Sequence, residues 1–436
     1  MNQPLPNSEP TISVGIVRAS RLTIDLQGQF DCRAANRQFS GRQDVSLDDG
    51  HVIINGQVAD KWQFVPESDS SRFVIHDVEI GIGFHWDKRE NQVFGGILRF
   101  VIDGDMLWAV NILGVESYLT SVISSEMNAT SDIELLKAHA VTSRSWLMAQ
   151  VWGKGQFHGQ QKHESDTEIL TWRDREDHTL FDVCADDHCQ RYQGLTRVTN
   201  PKVEKAVYAT RGQILTYEGN VCDARFSKCC GGMSELFESC WDDTPHPYLQ
   251  SISDALLPTR GLPKTITSND DARLWITASP DAFCNTTDAD TLRQVLNDYD
   301  QSTSDFFRWT VNTSGAELGS LIREKAKRDI GDVTALEALH RGPSGRITRL
   351  KIIGTKGEII VGKELEIRRL LSPTHLYSSA FVADFTPDGG ITLRGAGWGH
   401  GVGLCQIGAA VMAKRGFSYR SIVYHYFRRA QIEKVW

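Results

Sequence analysis

Glu126 stands where a carboxyl group could do acid–base work, because an apolar periodicity runs up to it and a polar corner, Ser124 to Ser131, follows before the next helical run. A Glu near a helix end is ordinarily a solvated surface residue, so its neighbours decide its role. Glu116 is the other nearby acid. If 116 to 126 is one helix, ten residues at about 1.5 Å each separate the two backbones by roughly 15 Å. Paired-carboxylate glycosidases hold their acids about 5 to 9.5 Å apart. Glycosidic chemistry here would therefore rest on Glu126 alone or on a partner from elsewhere in the chain. Lys137 and Arg144 follow seven residues apart, on one face of the next helix, where they could meet the same anionic or polar group or form a solvated face.

A second group lies in HTLFDVCADDHC, where His178, Cys184, His188 and Cys189 offer four N/S ligands within twelve residues. That set suffices for a tetrahedral zinc site, closed and hence structural. The adjacent His188 and Cys189 would have to splay, and the alternative is a loop with two free thiols. Cys222, Cys229, Cys230 and Cys240 crowd around FSKCCGGMSELFESCW. A second metal, a disulfide or packing would each explain them, and CC before GG fits a tight turn best. Cys32, Cys284 and Cys405 stand alone in the sequence.

The third group is GAGWGHGVG ahead of a helix. It fails the dinucleotide G-x-G-x-x-G spacing in every register, the third glycine falling on His400, Val402, Leu404 or Gln406, and it lacks the Lys and Ser/Thr of a phosphate loop. What remains is backbone around Gly399 and Gly401, offering His400, Gln406 and helix N-terminal N–H groups to whatever lies against it. A sugar chain would suit that floor, and so would a neighbouring strand.

The elements that must position these groups can be read from periodicity. Between Thr11 and about Val110, short β-branched or alternating runs separated by DDGH and DGD predict hairpins and a mostly antiparallel sheet. Val115, Leu119, Val122, Ile123 and Met127 have helical spacing. Ile133 to about Val151 is rich in Ala and Leu without Gly or Pro, with Thr130, Ser131 or Asp132 as its cap. Trp152 to Leu195 is weakly periodic, and strand signals return over Lys205 to Tyr217. Helices are expected at Asp288 to Tyr299 and Ala316 to Arg328, then a strand, turn and strand in SGRITRLKIIGTKGEIIVG. A helix after the Gly-rich turn should stop at Gly416, and a last one covers Ser418 to Phe427.

Composition sets the outer bounds. The 436 residues, 40% hydrophobic and 23% charged, suffice for more than one core. The 47 basic and 55 acidic residues give a formal charge of −8, so nucleic acid is not an expected partner. No run reaches the ~18 apolar residues of a membrane helix. The opening MNQPLPNSEPTISVG has neither the basic start nor the apolar stretch of an export signal, so either a signal has been removed or the protein stays inside.

Several segments in order resemble the stage II sporulation protein D family, SpoIID/LytB, which includes amidase enhancers. They are VESYLTSVISSEM, ELLKAHAVTSRSWLMA, FDVCADDHCQRYQG, FSKCCGG with Trp241 and PYLQS, RRLLS, and GWGHGVGLCQIGAAVMAKRGFSYRSIVYHYF. They span about Val110 to Leu256 and Ser344 to the C-terminus. The resemblance implies a lytic transglycosylase of denuded peptidoglycan strands, with the Glu of S-E-M, Glu126, as single acid/base giving 1,6-anhydro ends. It implies one zinc on His178, Cys184, His188 and Cys189, and a cleft lined by Lys137, Arg144, Gly399, His400, Gly401 and Gln406. It also implies an envelope or periplasmic location, where the absence of a signal leaves the cytoplasm as the alternative. In place of cleavage it allows glycan binding or enhancement of a wall amidase, which would then be a partner.

The expected fold is α+β. A β-rich N-terminal region covers 1–109, a core like that of the family with the zinc-binding excursion 110–265, an insertion or second-lobe segment 266–339, and a C-terminal part that completes the glycan-binding cleft 340–436.

Overall fold

A computed structural model describes residues 7–59, 61–80, 88–153, 161–172, 178–186, 188–257, 260–295 and 305–436. The fold is mixed α+β in two compact units. The first comprises 1–154, 177–214 and 433–436, the second 155–176 and 215–432.

The first unit opens with the expected antiparallel sheet. Thr11–Ala19 pairs with Met106–Gly114, which pairs with Ile97–Asp103, while Arg21–Cys32 pairs with Arg37–Asp48 and Arg72–Ile80. Alternation drives the strands: Ile12 and Val14 point inward and are buried, as are Ile24, Leu26 and Phe30. In DDGH the loop residues Asp49 and Gly50 both take positive φ, at 46° and 73°, and Asp48 faces His51 across the hairpin. That is the two-residue turn whose twist matches the strands it joins.

Helix α1 (Val115–Glu126) leaves the strand Met106–Gly114 directly and buries Val115, Leu119, Val122 and Ile123 of the spaced apolar set, with Tyr118 beside them. It ends because Met127 turns extended, at φ −126° and ψ 156°. Helix α2 (Ile133–Trp152) starts at Asp132, whose carboxylate accepts the Glu134 N–H at 2.8 Å; of the three expected caps, Asp132 does the work. Helix α3 (Pro201–Ala209) corrects the strand expected from Lys205. Asn200 caps it through the Lys202 N–H, Pro201 presets the first turn, and Val203, Ala206 and Val207 are buried at helical spacing. The strand begins only at Gln213.

In the second unit, Gln161–Glu164 and Glu168–Trp172 join a sheet with Glu358–Gly362, Ile347–Gly354 and Val333–Arg341. Two helices precede that sheet's later strands. Helix α4 (Asn269–Thr277) buries Trp275, and α5 (Ala289–Val295) forms the first part of the helix expected to Tyr299, whose remainder lies outside the described residues. Helix α6 (Gly315–Ala326) begins with a reciprocal Ser314/Glu317 cap. It packs with α7 (Glu364–Leu370) over a core containing Leu318, Ile322, Leu350, Ile352 and Ile367. The strand Arg308–Ser314 pairs with Gly390–Ala396, so the 266–339 segment contributes to this unit's sheets. Helices α8 (Gln406–Lys414) and α9 (Tyr419–Tyr426) close it, Gly416 following α8 at φ 84°. Among the described residues no helix is long and apolar enough to cross a membrane.

Candidate functional sites

Glu126 is the last residue of α1 and is half-buried at the Ser124 to Ser131 corner. Its Oε1 accepts the backbone N–H of Arg191 at 3.1 Å, a bond that favours the ionised carboxylate. Arg191 is two residues beyond Cys189. Tyr118, fully buried on the same helix, feels Cys189, Cys184 and Glu126 together; burial is the largest cause of its phenol being pushed well above its ordinary range. The metal-type quartet and the candidate acid thus share their surroundings inside one unit.

That quartet is closely gathered. One ligand atom from each of His178, Cys184, His188 and Cys189 lies within 4.8 Å of all the others. Cys189 Sγ is 3.5 Å from His178 Nε2 and from His188 Nδ1, and Cys184 Sγ is 3.7 Å from His188 Nδ1. Adjacent His188 and Cys189 therefore do turn to a common centre. The Cys184 thiol is held far below the usual thiol range, first by its hydrogen bond with Cys189, against the opposing effect of burial, and then by His178 and His188. Two soft sulfurs and two imidazoles at these separations fit a single tetrahedral ion with bonds of about 2.0 to 2.3 Å.

Lys137 and Arg144 differ in surroundings despite their shared face. Lys137 is partly exposed and pairs with Glu134 at 2.7 Å. Arg144 is fully buried, its guanidinium meeting Glu116 and the Gln213 carbonyl. Glu116, considered above only as a second acid, is the carboxylate that neutralises it.

The Gly-rich turn belongs to the second unit. Gly399 and Gly401 take φ 89° and 76°, and a side chain at Gly401 would place its Cβ 2.4 Å from Cζ of buried Arg346. The Gly399 carbonyl accepts from that guanidinium, and the Gly401 carbonyl accepts the Glu235 N–H at 2.9 Å. Arg346 and the Glu235 bridge to Val402 thus hold the back of this turn. His400 is half-buried, with Nδ1 accepting the Val402 N–H and its ring 4.7 Å from that of Trp241. Burial, then Arg225, Arg346 and Arg368, keep its imidazole well below the ordinary range and so neutral. Gln406 is buried as the first residue of α8.

A profile of the stage II sporulation protein family matches residues 103–217, which contain Glu126, Lys137, Arg144 and the whole His/Cys quartet. Stage II sporulation protein D of Bacillus amyloliquefaciens is 25% identical over 75% of this chain and 76% of its own length. The profile and this relative support membership of the SpoIID/amidase-enhancer family. The family is an enzyme-associated one. The chain is also similar to an uncharacterized protein of Brachyspira hyodysenteriae, 26% identical over 81% of the chain and 78% of that protein. Against the amidase enhancer of Bacillus subtilis it is 24% identical over 71% of the chain, covering 39% of that longer protein. Residues 235–403, with Gly399, His400 and Gly401, match a domain of unknown function.

One cluster in the second unit is invisible in sequence spacing. Cys284 and Cys405, isolated along the chain, come together with Cys230 and Asp254 into a second group of four candidate metal ligands. Cys230 thus lies both in the tight turn and in a candidate ligand group. No local spacing signals such a group, since its members lie 24, 30 and 121 residues apart in turn.

Proposed function

We propose that this chain binds the glycan strands of peptidoglycan and works in wall remodelling as a partner or enhancer of an N-acetylmuramoyl-L-alanine amidase, in the cell envelope. The observation that carries this reading is the similarity to an amidase enhancer along 71% of the chain. The part-exposed Trp241 ring, with the neutral His400 imidazole packed against it, offers a sugar an apolar face. Gly399 and Gly401 let that turn sit close on Ser227 and Arg346, and Gln406 is buried at the start of α8. Lys137 is assigned to glycan contact on the first unit. Arg144, with its guanidinium taken up by Glu116, is assigned to bracing α1 against α2 in place of lining a cleft.

A second reading, cleavage as a lytic transglycosylase, is favoured by the placement of Glu126 at the end of α1 under the Arg191 N–H. Protonated Glu126 would give its proton to the oxygen between N-acetylmuramic acid and N-acetylglucosamine. As carboxylate it would then take the proton of the muramic C6 hydroxyl, whose oxygen closes on C1 to leave a 1,6-anhydro end. The Arg191 N–H supports the carboxylate half of that cycle. In either reading His178, Cys184, His188 and Cys189 hold a structural zinc ion, which ties down the loop carrying Arg191.

The test is mass spectrometry of denuded strands incubated with wild type and Glu126→Gln, with a parallel glycan pull-down. Retained glycan without new ends in both supports the binding reading, and anhydro ends from wild type alone establish cleavage by Glu126. Failure of both proteins to retain or cleave glycan would sink the proposal.

A further inference from the structure

Four buried donors from distant stretches of chain converge in the second unit. Cys230 follows the short strand Phe226–Ser227, Asp254 lies beyond the PYLQS segment, Cys284 precedes α5, and Cys405 caps α8. One ligand atom from each lies within 4.8 Å of all the others, and each residue is 2% exposed or less. Cys230 Sγ is 3.6 Å from Cys284 Sγ, and Cys405 Sγ accepts the Cys230 backbone N–H at 3.3 Å.

The sulfurs are too far apart for a disulfide, which needs about 2.05 Å, and all three cysteines are free. Two thiolates on one tetrahedral zinc, at about 2.3 Å each, would stand roughly 3.8 Å apart, close to the spacing seen. An iron–sulfur cluster distributes its thiolates over several irons, whereas these donors are gathered at single-ion range.

Charge argues the same way. Asp254 is fully buried; its oxygens accept the Cys284 N–H at 2.9 Å and the Tyr426 hydroxyl at 2.7 Å, and its only ion-pair neighbour among the described residues is His425, at 3.7 Å. A buried carboxyl without an Arg or Lys partner either keeps its proton or takes another cation, and an ion held by the three adjacent thiols would supply that cation. Arg308 supplies the complementary oddity. Its guanidinium donates to the backbone carbonyls of Trp275, Ile276, Ala278, Gly231 and Phe307, and it feels Cys284, Cys229 and Cys230 across the short space between them. A divalent ion on three thiolates and one carboxylate is net anionic, so it would satisfy Asp254 and provide the counter-charge for Arg308 at once.

We propose that Cys230, Asp254, Cys284 and Cys405 bind a second metal ion, zinc, as a closed structural centre that staples the Cys229–Cys230 turn, the approach to α5 and the start of α8. On binding, each thiol releases its proton to solvent and the ion takes the four donors without change of oxidation state. Three soft sulfurs in a dry, closed site select zinc over magnesium or calcium.

Metal analysis of the full chain purified without added metal should find about two zinc ions per chain. His188→Ala should lower this to about one, Cys284→Ser should do the same, and the double variant should hold none. A single ion in the wild type that His188→Ala removes entirely would overturn the proposal, as would peptide mapping that finds Cys230 joined to Cys284. Loss of the second ion from Cys229→Ser but not from Asp254→Ala would overturn the ligand set. Because Cys284→Ser could fail to fold, the wild type should also be loaded with 113Cd. Two cadmium resonances are expected, one from a sulfur–nitrogen site and one from a sulfur-rich site, and a single resonance would refute the second centre.

Discussion

Arg144 meets Glu116 edge-on, Nη2 to Oε2 at 2.6 Å and Nε to Oε1 at 3.1 Å, with the guanidinium fully buried. The same carboxylate accepts the Gly212 N–H and the Trp436 indole N–H, both at 3.0 Å. The pair is therefore asymmetric. Glu116→Leu strands a buried cation, which should cost about 3–5 kcal/mol. Arg144→Met leaves Glu116 with two N–H donors and some solvent, and should cost less. Urea unfolding of the two variants checks the order, and a larger loss for Arg144→Met would contradict this account.

Metal removal should be felt at Glu126. Chelation at neutral pH should release the ion proposed for His178, Cys184, His188 and Cys189 and loosen the stretch that presents the Arg191 N–H. Hydrogen exchange should then quicken over residues 184 to 192 while the hairpin of Asp49 and Gly50 keeps its protection. Unchanged exchange at 184 to 192 after verified zinc loss would show that the ion does not hold that loop.

His400 gives a pH dependence of known sign. Burial first, then Arg225, Arg346 and Arg368, hold its folded-state value below that of the unfolded chain. On acidification the unfolded state takes the proton first, so this residue's contribution is complete above about pH 6.5 and is lost as pH falls towards the folded value. His400→Asn removes that titration. The stability gap between wild type and variant should narrow between about pH 8 and about pH 5.5, and a gap that widens on acidification would refute the assignment.

Two glycines separate close approach from mere backbone conformation. At Gly401, φ is 76° and a Cβ would fall 2.4 Å from Arg346 Cζ; at Gly416, φ is 84° and nothing lies within 4 Å. Gly416→Ala should cost about 1 kcal/mol, the ordinary penalty for a left-handed position. Gly401→Ala must also displace a buried guanidinium and should cost roughly 1–3 kcal/mol more. Equal shifts in denaturation midpoint would contradict a close backing of the Gly399 to Gly401 turn by Arg346.

Local signals carried the sequence reading where structure is local. Val115, Leu119, Val122, Ile123 and Met127 announce α1, and DDGH announces a hairpin, because each depends on a few neighbouring residues. Helix α3 was hidden because β-branched Val203 and Val207 imitate a strand, although Asn200 and Pro201 were a legible start signal. The His178 to Cys189 quartet could be suspected because its members are close in sequence. Cys230, Asp254, Cys284 and Cys405 could not, since only the tertiary fold brings them together. Spacing also put Lys137 and Arg144 on one face, yet it could not distinguish an accessible cation from one committed to Glu116.

The division of the chain has a consequence for how the protein can be taken apart. The polypeptide passes from one unit to the other at 154/155, 176/177, 214/215 and 432/433. Each unit is thus assembled from separated lengths of sequence, and no single truncation excises either one whole. A nick at one passage leaves the units tethered through the rest of the backbone. Much of the native set of contacts must also wait for distant segments to be synthesised, which marks this chain as one that matures late, with its thiols exposed to the cell in the interval.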